Sequence, residues 1–533
     1  MKNKKYLLRL IAPASTLSDN KRKHIDQSII SLGLVYIGTA ANILKNWEVE
    51  IIDENNLNGS DYKFCPKDKN GLPDHQELQK GKPADVVGFY GTMTSSIPRL
   101  YELAKIYKKL GATTVTGGYH VRNLPYEALK NNIDVVALSE GEIIIKNILL
   151  SIENSLPLEN IKGIAFIRDE KMKITEAQPL IQNLDDLPLP DFELIRYAKI
   201  KVFPISSIRG CNMNCEFCAV KGRVRCASSE WIIKNITHLI ENFGARKFLD
   251  VSDNFTTPGI KQTIALCDLL TKYQESNNVK IEEITVQTRI DDARHEDLLM
   301  AMKNCGITTV AMGLESFIDE ELLIMRKGYR KKDIIDWINT YHKFGFSVHA
   351  MMIFAYPLNN KKETTTTIKK KTKNFKKNIS KYFKNFQIVL AVPIPGTELT
   401  TRLANENRIY NIDYQYHNGK FILFKPDNNI TPEQLQDALT SIRFNFYHTK
   451  NFKNIIQTII AKFLLIIIPK VTNLTILKIK PIERNFINWY KINFKNQSPR
   501  TNRNIFTRGL AMTISQIEFI RQLNETKKEL INK

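Results

Sequence analysis

Cysteine is scarce in this chain. Seven stand among 533 residues, at positions 65, 211, 215, 218, 226, 267 and 305. They are too few, and too unpaired in pattern, for a disulfide scaffold, and they suit a reducing cytoplasm. Long apolar runs are missing too: none reaches the roughly 18 uninterrupted residues of a membrane span. The opening stretch is basic from Met1 to Lys5 and then strand-like, with Arg9 breaking the run, so it lacks the apolar core of a signal peptide. Acid is outnumbered, 55 Asp and Glu against 77 Lys and Arg, for a formal charge of +22. No nucleic-acid-binding motif accompanies that excess. Much of it is lysine scattered among Asn and Ile, or gathered in a block at 361–384 where Phe, Ile and Tyr interleave as on a solvated helix face. The length allows two or three domains with ample cores.

The densest feature present is Arg209-Gly210-Cys211-Asn212-Met213-Asn214-Cys215-Glu216-Phe217-Cys218. It follows an apolar run, 202–208, that predicts a buried strand. Three sulfurs at C-x-x-x-C-x-x-C on so short a loop can turn toward one point. As thiolates they can each take one iron of a 4Fe-4S cube, leaving the fourth iron open to a small ligand. The alternative is structural zinc, which takes four closed ligands, usually from paired knuckles. No second knuckle follows here, and the next candidates are Cys226 and His238. Ligand count favours iron and sulfur.

With the aromatic Phe217 just before the last cysteine, this spacing resembles that of the radical S-adenosylmethionine (SAM) enzymes. The resemblance implies that Cys211, Cys215 and Cys218 carry a 4Fe-4S cluster whose open iron binds the amino and carboxylate groups of SAM. One electron would then split SAM into methionine and a 5′-deoxyadenosyl radical. An external one-electron reductant such as flavodoxin or ferredoxin is implied with it.

Upstream, five apolar runs at 6–12, 49–53, 85–90, 113–116 and 135–138 alternate with helical patterns, among them a helix at 98–110 with Pro98 in its first turn. Such alternation predicts a doubly wound parallel sheet, whose ligands dock beyond the carboxyl ends of the strands. Gly117-Gly118-Tyr119-His120, the following 124–129, and Glu140-Gly141-Glu142 resemble the cobalamin-binding domain that precedes many radical SAM barrels. On that resemblance Gly117, Gly118, His120, Glu140, Gly141 and Glu142 line a cobalamin site, and Thr92, Thr94 and Ser95 hydrogen-bond the nucleotide tail. Glycines let the backbone approach a broad planar ligand. The D-x-H-x-x-G motif that supplies a histidine to cobalt elsewhere is absent, as it usually is in the radical SAM relatives, so His120 is expected to line the site and not to bind the metal. The competing reading is a Rossmann-like domain that packs and binds nothing.

A proline-punctuated linker, 184–192, leads into a second alternation, with strands expected at 202–208, 247–251, 284–288, 309–312, 347–354 and 386–390. The expected architecture is α/β: a Rossmann-like domain over 1–183, a linker over 184–200, a partial (β/α)6 barrel over 201–420, and a mostly helical C-terminal segment over 421–533. Chemistry in barrels sits at the C-terminal strand ends. There the radical SAM resemblance implies SAM contacts from Phe217, Asp250, Asp253, Arg289, Glu315, Ser316, Pro395 and Gly396, with Glu315 accepting from the amino group or ribose. Arg289 is alternatively just the ion-pair partner of Glu315. Ala355-Tyr356-Pro357 stands where relatives usually begin with glycine. Residues 421–425 read as a strand, and Thr431-Pro432 starts a helix as N-cap and first position. The apolar run 455–468 suits a core or lid helix, or else peripheral membrane contact, and 500–533 is polar.

Further absences narrow the function. No cysteine follows Cys305, so C-terminal auxiliary clusters are not expected. Cys65 is alone in the first domain, which does not suit a methylthiotransferase, and Ala219 after Cys218 departs from the coproporphyrinogen-oxidising relatives. The remaining resemblance is to cobalamin-dependent radical SAM enzymes, over about residues 5–400. It implies a cytoplasmic enzyme that methylates an unactivated carbon, or phosphorus, of a small-molecule or lipid-like substrate. The alternatives are an oxidative cyclase without net methyl transfer and, remotely, a noncatalytic metal protein bound to nucleic acid, a partner that is not expected.

Overall fold

The computed structural model describes residues 5–15, 29–358, 368–383, 385–410, 413–427 and 430–443. Eight strands form the first sheet: β1 (Tyr6–Ala12), β2 (Trp47–Asp53), β3 (Val86–Tyr90), β4 (Thr113–Gly117), β5 (Val135–Ala137), β6 (Ile164–Arg168), β7 (Lys171–Ile174) and β8 (Ile195–Arg196). Their order is β7-β6-β5-β4-β3-β1-β2-β8, parallel apart from the antiparallel β5–β6 and β6–β7 pairs. Chain order reverses between β1 and β3, which opens the crevice where doubly wound sheets take ligands. Alternation along β1 explains the two buried faces. Leu8 and Leu10 enter one core with Val35, Ile144 and Ile148, while Leu7 and Ile11 enter the other with Leu100, Leu103 and Tyr107.

All five expected strands form. The β6–β7 hairpin was not expected from sequence. Its two turn residues, Asp169 and Glu170, have φ of 50° and 61°, a conformation that hairpins usually signal with Asn-Gly. The linker also contributes the short strand β8 beside β2.

The second sheet comprises β9 (Phe203–Ile205), β12 (Lys247–Asp250), β13 (Glu283–Gln287), β14 (Ile307–Glu315), β15 (Ser347–Ile353) and β16 (Asn385–Val389). All six are parallel, in the order β16-β15-β14-β13-β12-β9. Between β9 and β12 a two-stranded ribbon, β10 (Ile208–Arg209) with β11 (Arg225–Cys226), closes the base of the cysteine loop. Helix Ser229–Phe243 shows how local sequence sets these units. Ser228 caps it by accepting from the Trp231 N–H, Trp231, Ile232, Ile236, Leu239 and Ile240 are buried, and Gly244 ends it at φ 63°. One apolar core runs from the first sheet into the barrel, joining Leu8 and Ile51 to Phe203, Trp231 and Met312.

The C-terminal expectations divide. Helix Pro432–Arg443 begins as read, with Thr431 and Gln434 exchanging hydrogen bonds at its start. Residues 421–425 form no strand. Among the described residues an isolated antiparallel bridge joins Phe424 to Ile409. In the lysine block, helix Ile368–Tyr382 forms, yet Lys371 is buried against Glu321 at 3.1 Å rather than solvated. The runs at 455–468 and 500–533 lie outside the described residues. No helix among the described residues is long and apolar enough to cross a membrane.

Candidate functional site

The cysteine loop leaves the first barrel strand at its carboxyl end, as expected. Gly210 opens it at φ 85°, where a Cβ would meet the Arg223 carbonyl oxygen at 2.5 Å. Cys215 is buried, and Cys211 and Cys218 are half-buried. Burial pushes the Cys218 thiol up to about 11, against the opposing N–H of Val220. Among the described residues no three His, Cys, Asp or Glu side chains converge tightly enough to share one metal ion. Three cysteines on one short loop supply one thiolate to each of three irons of a 4Fe-4S cube, whereas structural zinc takes four ligands, so the donor set fits the cluster.

Glu216, inside the loop, is the anchor that sequence reading missed. Its carboxylate takes Arg402 Nε at 2.6 Å and Nη2 at 3.0 Å, and the Tyr356 hydroxyl at 2.7 Å. Phe217 packs edge-on to Tyr356 with ring centroids 6.1 Å apart. Tyr356 is therefore a buried support for the loop. Ala355 before it has φ 53°, the left-handed conformation that favours the glycine expected there.

Glu315 ends β14 at φ 62°, where the β14–β15 register shifts between Gly313 and Glu315. A bulge of this kind re-aims a side chain. The carboxylate folds back over Gly313, where any Cβ would collide with it. Its ion-pair partner is Lys327, at 3.3 Å, and not Arg289. Arg289 pairs instead with Asp291 at 2.9 Å and donates to the Lys327 carbonyl oxygen, so the alternative reading of Arg289 as the ion-pair partner of Glu315 does not hold. Burial pushes the Glu315 carboxyl up, with Lys327 opposing.

Of the other residues expected to meet SAM, Asp250 and Ser316 have partners of their own. Asp250 is buried and accepts from Ser207 Oγ at 2.6 Å and the Ser252 N–H at 2.8 Å. It braces the strand ends beneath the loop. Ser316 donates to Glu321, which turns it toward the buried Lys371. Asp253 is exposed. Pro395 is buried, and Gly396, at φ 85°, precedes Thr397, which caps helix Glu398–Asn405.

On the first sheet, a cavity of about 180 Å³ opens at the switch point. Gly33, Gly88, Gly117, Gly118 and Gly141 line it together with Leu10, Leu34, Ile37, Val115 and Ile144. Gly118 has φ 132°, and a Cβ there would stand 2.5 Å from Thr92 Oγ1; one on Gly141 would stand 2.8 Å from Ile37 Cδ1. This is an apolar slot that side chains would fill, so the residues present fit the flat, apolar parts of a corrinoid. The polar residues expected around it are not among its lining residues. His120 is fully buried, 3.2 Å from Thr94 Oγ1, and its ring stands edge-on to Tyr414 at 4.6 Å, outside the cavity lining. Thr92, Thr94 and Ser95 are also absent from that lining.

Glu140 and Glu142 face the barrel. Arg209 reaches Glu140 at 3.1 Å and Glu142 at 2.5 Å, and Arg225 reaches Glu140 at 2.8 Å. Both arginines belong to the ribbon that closes the cysteine loop, so these carboxylates clamp the two sheets together. The loop after β4 completes the contact. Burial raises the Tyr119 hydroxyl pKa and the Arg122 charge opposes it, with Asp253 and Cys218 adding to the rise. Asn123 abuts Gly396, where a Cβ would collide with its amide.

Comparison with known proteins gives matching results. A family model described as the B12 binding domain matches residues 23–149, and one described as the Radical SAM superfamily matches residues 205–370. The chain is 28% identical over 429 residues to the Uncharacterized methyltransferase PH0819 of Pyrococcus horikoshii, covering 78% of this chain and 87% of that protein. It is 23% identical over 380 residues to an anaerobic magnesium-protoporphyrin IX monomethyl ester cyclase of Cereibacter sphaeroides, covering 67% of this chain and 59% of the cyclase. Its fold resembles that of the radical SAM methyltransferase TsrM of Kitasatospora setae, solved with cobalamin and a [4Fe-4S] cluster. The TM-score is 0.60 at 14% identity, over 82% of this chain and 89% of that one.

Proposed function

We propose that this chain, which belongs to the radical SAM enzymes carrying an N-terminal B12-binding domain, is a methyltransferase. It would move a methyl group from SAM, by way of cobalamin, to an unactivated carbon or to phosphorus in a small-molecule or lipid-like substrate. One observation carries this reading. The glycine-lined crevice of the first sheet and the cysteine loop of the second belong to domains clamped face to face, with Glu140 and Glu142 on Arg209 and Arg225 and Asn123 against Gly396.

When bound, the reduced cluster supplies the electron that cleaves SAM, and cobalamin supplies the methyl group. The chain's own residues do the placing. Cys211, Cys215 and Cys218 hold the cluster, and Glu216, fixed by Arg402 and Tyr356, sets the loop's shape. Gly117, Gly118 and Gly141 leave room for the corrinoid. Glu315, aimed by its bulge and balanced by Lys327, accepts from the SAM amino group or ribose. The clamp of Glu140 and Glu142 on Arg209 and Arg225 keeps the domains together, so that water is excluded from a reactive radical.

The test is SAM labelled in its methyl group, supplied to the anaerobically reconstituted protein with candidate substrates. Label in the product supports methyl transfer. Consumption of SAM with an altered, unlabelled product would favour oxidative cyclisation, the activity named for the Cereibacter sphaeroides relative.

A further inference from the structure

We propose that Tyr414, in the segment that follows the barrel, is a positioning residue for the corrinoid slot and acts through His120. This role rests on the reading above that the glycine-lined slot of the first sheet takes cobalamin.

Gly117 and Gly118 line the slot at the end of β4, and His120 follows in the same turn. The His120 N–H donates to the Gly91 carbonyl oxygen at 3.1 Å, and the Gly91 N–H donates to that of Gly117 at 2.8 Å. The loops after β3 and β4 are thus laced into one unit. The His120 ring pins that unit: it is fully buried, with Nδ1 3.2 Å from Thr94 Oγ1 of the β3 loop. Its other nitrogen, Nε2, has no hydrogen bond and lies 3.8 Å from Glu127 Oε1. A polar contact therefore fixes one side of the ring, and packing must fix the other.

Tyr414 supplies that packing from a distant part of the chain. Its ring stands edge-on to His120, with centroids 4.6 Å apart and planes at 81°, an arrangement that aromatic quadrupoles favour. Its hydroxyl donates to Glu127 Oε2 at 2.7 Å across 287 positions of sequence, and the Tyr101 hydroxyl donates to Oε1 at 2.8 Å. The turn Tyr414–Tyr416 also packs on the turn Thr94–Ser96. Behind it, His417 is buried with Nδ1 3.1 Å from the Asp413 carbonyl oxygen. The Gly419 carbonyl oxygen then accepts from the Leu390 N–H, just past β16, at 2.9 Å. Tyr414 is therefore tied to the barrel on one side and braces the glycine turn on the other. The first domain does not complete the support of its own slot; chain from beyond the last barrel strand does. Such coupling is reciprocal: if docked Tyr414 favours cobalamin, bound cobalamin favours docked Tyr414 by the same factor.

The test uses the anaerobically reconstituted full chain in equilibrium dialysis against hydroxocobalamin, read by absorbance. In Y414A the cobalamin dissociation constant should rise about tenfold, within the usual range for coupled sites. Y414F keeps the ring and loses the hydroxyl, so its affinity should fall between those of Y414A and wild type. In an H120A background Y414A should add little, because its effect passes through His120. Iron content and SAM binding should be unchanged in both Tyr414 variants. In wild type, cobalamin should slow amide hydrogen exchange over 413–419. Wild-type cobalamin affinity in Y414A and Y414F, with exchange over 413–419 unmoved by cobalamin, would overturn the role of Tyr414. A parallel loss of iron, SAM and cobalamin in both variants would overturn it too, since that is the mark of general packing. If Y414A does not fold, Y414F and the exchange measurement still decide. Failure of wild type to bind cobalamin would instead overturn the reading of the slot, and the role of Tyr414 with it.

Discussion

Glu216 and Arg402, 186 positions apart in the chain, meet fork to fork at 2.6 and 3.0 Å. The pair ties the middle of the cysteine loop to the helix after Gly396, and Tyr356 ties it to the end of β15. Two later strand ends thus shape the loop that must present three sulfurs, as supporting hydrogen bonds do around metal ligands in general. Removing the guanidinium leaves a buried carboxylate with one hydroxyl partner. R402A should therefore lose roughly 3 kcal/mol of stability, and it should retain less iron per chain after reconstitution. R402K keeps the charge without the bidentate fork and should fall between. Denaturant midpoints and iron analysis check both, and an R402A protein unchanged in both would show that the fork does not hold the loop.

The clamp between the domains makes a separate claim, because its charges lie on different sheets. Glu140 accepts from Arg209 and Arg225, and Glu142 from Arg209, all from the ribbon beneath the loop. Breaking it should loosen the domain contact more than either domain's own fold. E140A and R225A should couple in a double-mutant cycle by about 1–3 kcal/mol. E140A should also speed proteolytic cutting in the stretch leading into the linker, where the Ile181 N–H donates to Glu140 at 2.7 Å. Additive effects of the two substitutions would remove the pair as a clamp.

Much of this architecture was legible in the sequence, for identifiable reasons. Strands such as Tyr6–Ala12 and Ser347–Ile353 are apolar runs between turn residues, and that pattern is local. The cysteine spacing is local as well. What escaped depends on distant partners or on uncommon backbone. Glu140 and Glu142 sit in a segment that resembles a corrinoid-side loop, yet their partners lie 69 and 85 positions onward from Glu140. Lys327 gave no sign that it would pair with Glu315, whose orientation comes from a bulge. A carboxylate between Cys215 and Phe217, in a loop that must be buried, was the one available signal of a hidden partner, since a buried charge requires one.

Acid should unlock the switch-point end of the first sheet. Glu54 is buried just past β2 and accepts from His75 at 3.3 Å, from Arg99 at 2.7 Å and from the Ala14 N–H at 2.8 Å. Burial alone would raise its pKa, but the hydrogen bonds and charges of His75 and Arg99 prevail and pull it down to about 2. A folded-state value below the unfolded one means that the carboxylate stabilises the fold fully above the ordinary carboxyl range. That contribution is lost as pH falls from about 5 toward 2, and it amounts to roughly 3 kcal/mol. E54Q should be less stable than wild type at neutral pH, and the gap should close on acidification through this window. A gap independent of pH would mean that Glu54 contributes by shape alone.

The glycines of the cavity separate ligand binding from folding. Gly118 adopts φ 132°, and its missing Cβ would stand 2.5 Å from Thr92 Oγ1 and 2.7 Å from backbone atoms of Gly91 and Thr92. G118A therefore strains the backbone as well as filling the slot, at an expected cost above about 1 kcal/mol. Gly141 differs: it opens helix Gly141–Glu153 without a positive φ, and its Cβ would meet only the end of the Ile37 side chain, at 2.8 Å. That side chain can yield, so G141A should change stability by less than about 1 kcal/mol. It should nonetheless narrow the apolar slot. Cobalamin titrations followed by absorbance should thus find weakened binding in both variants, with a lowered melting temperature only in G118A. If G141A binds cobalamin as tightly as wild type, the slot beside Ile37 is not where the corrinoid's apolar part rests, and the glycines there serve only the packing of the helix against the sheet.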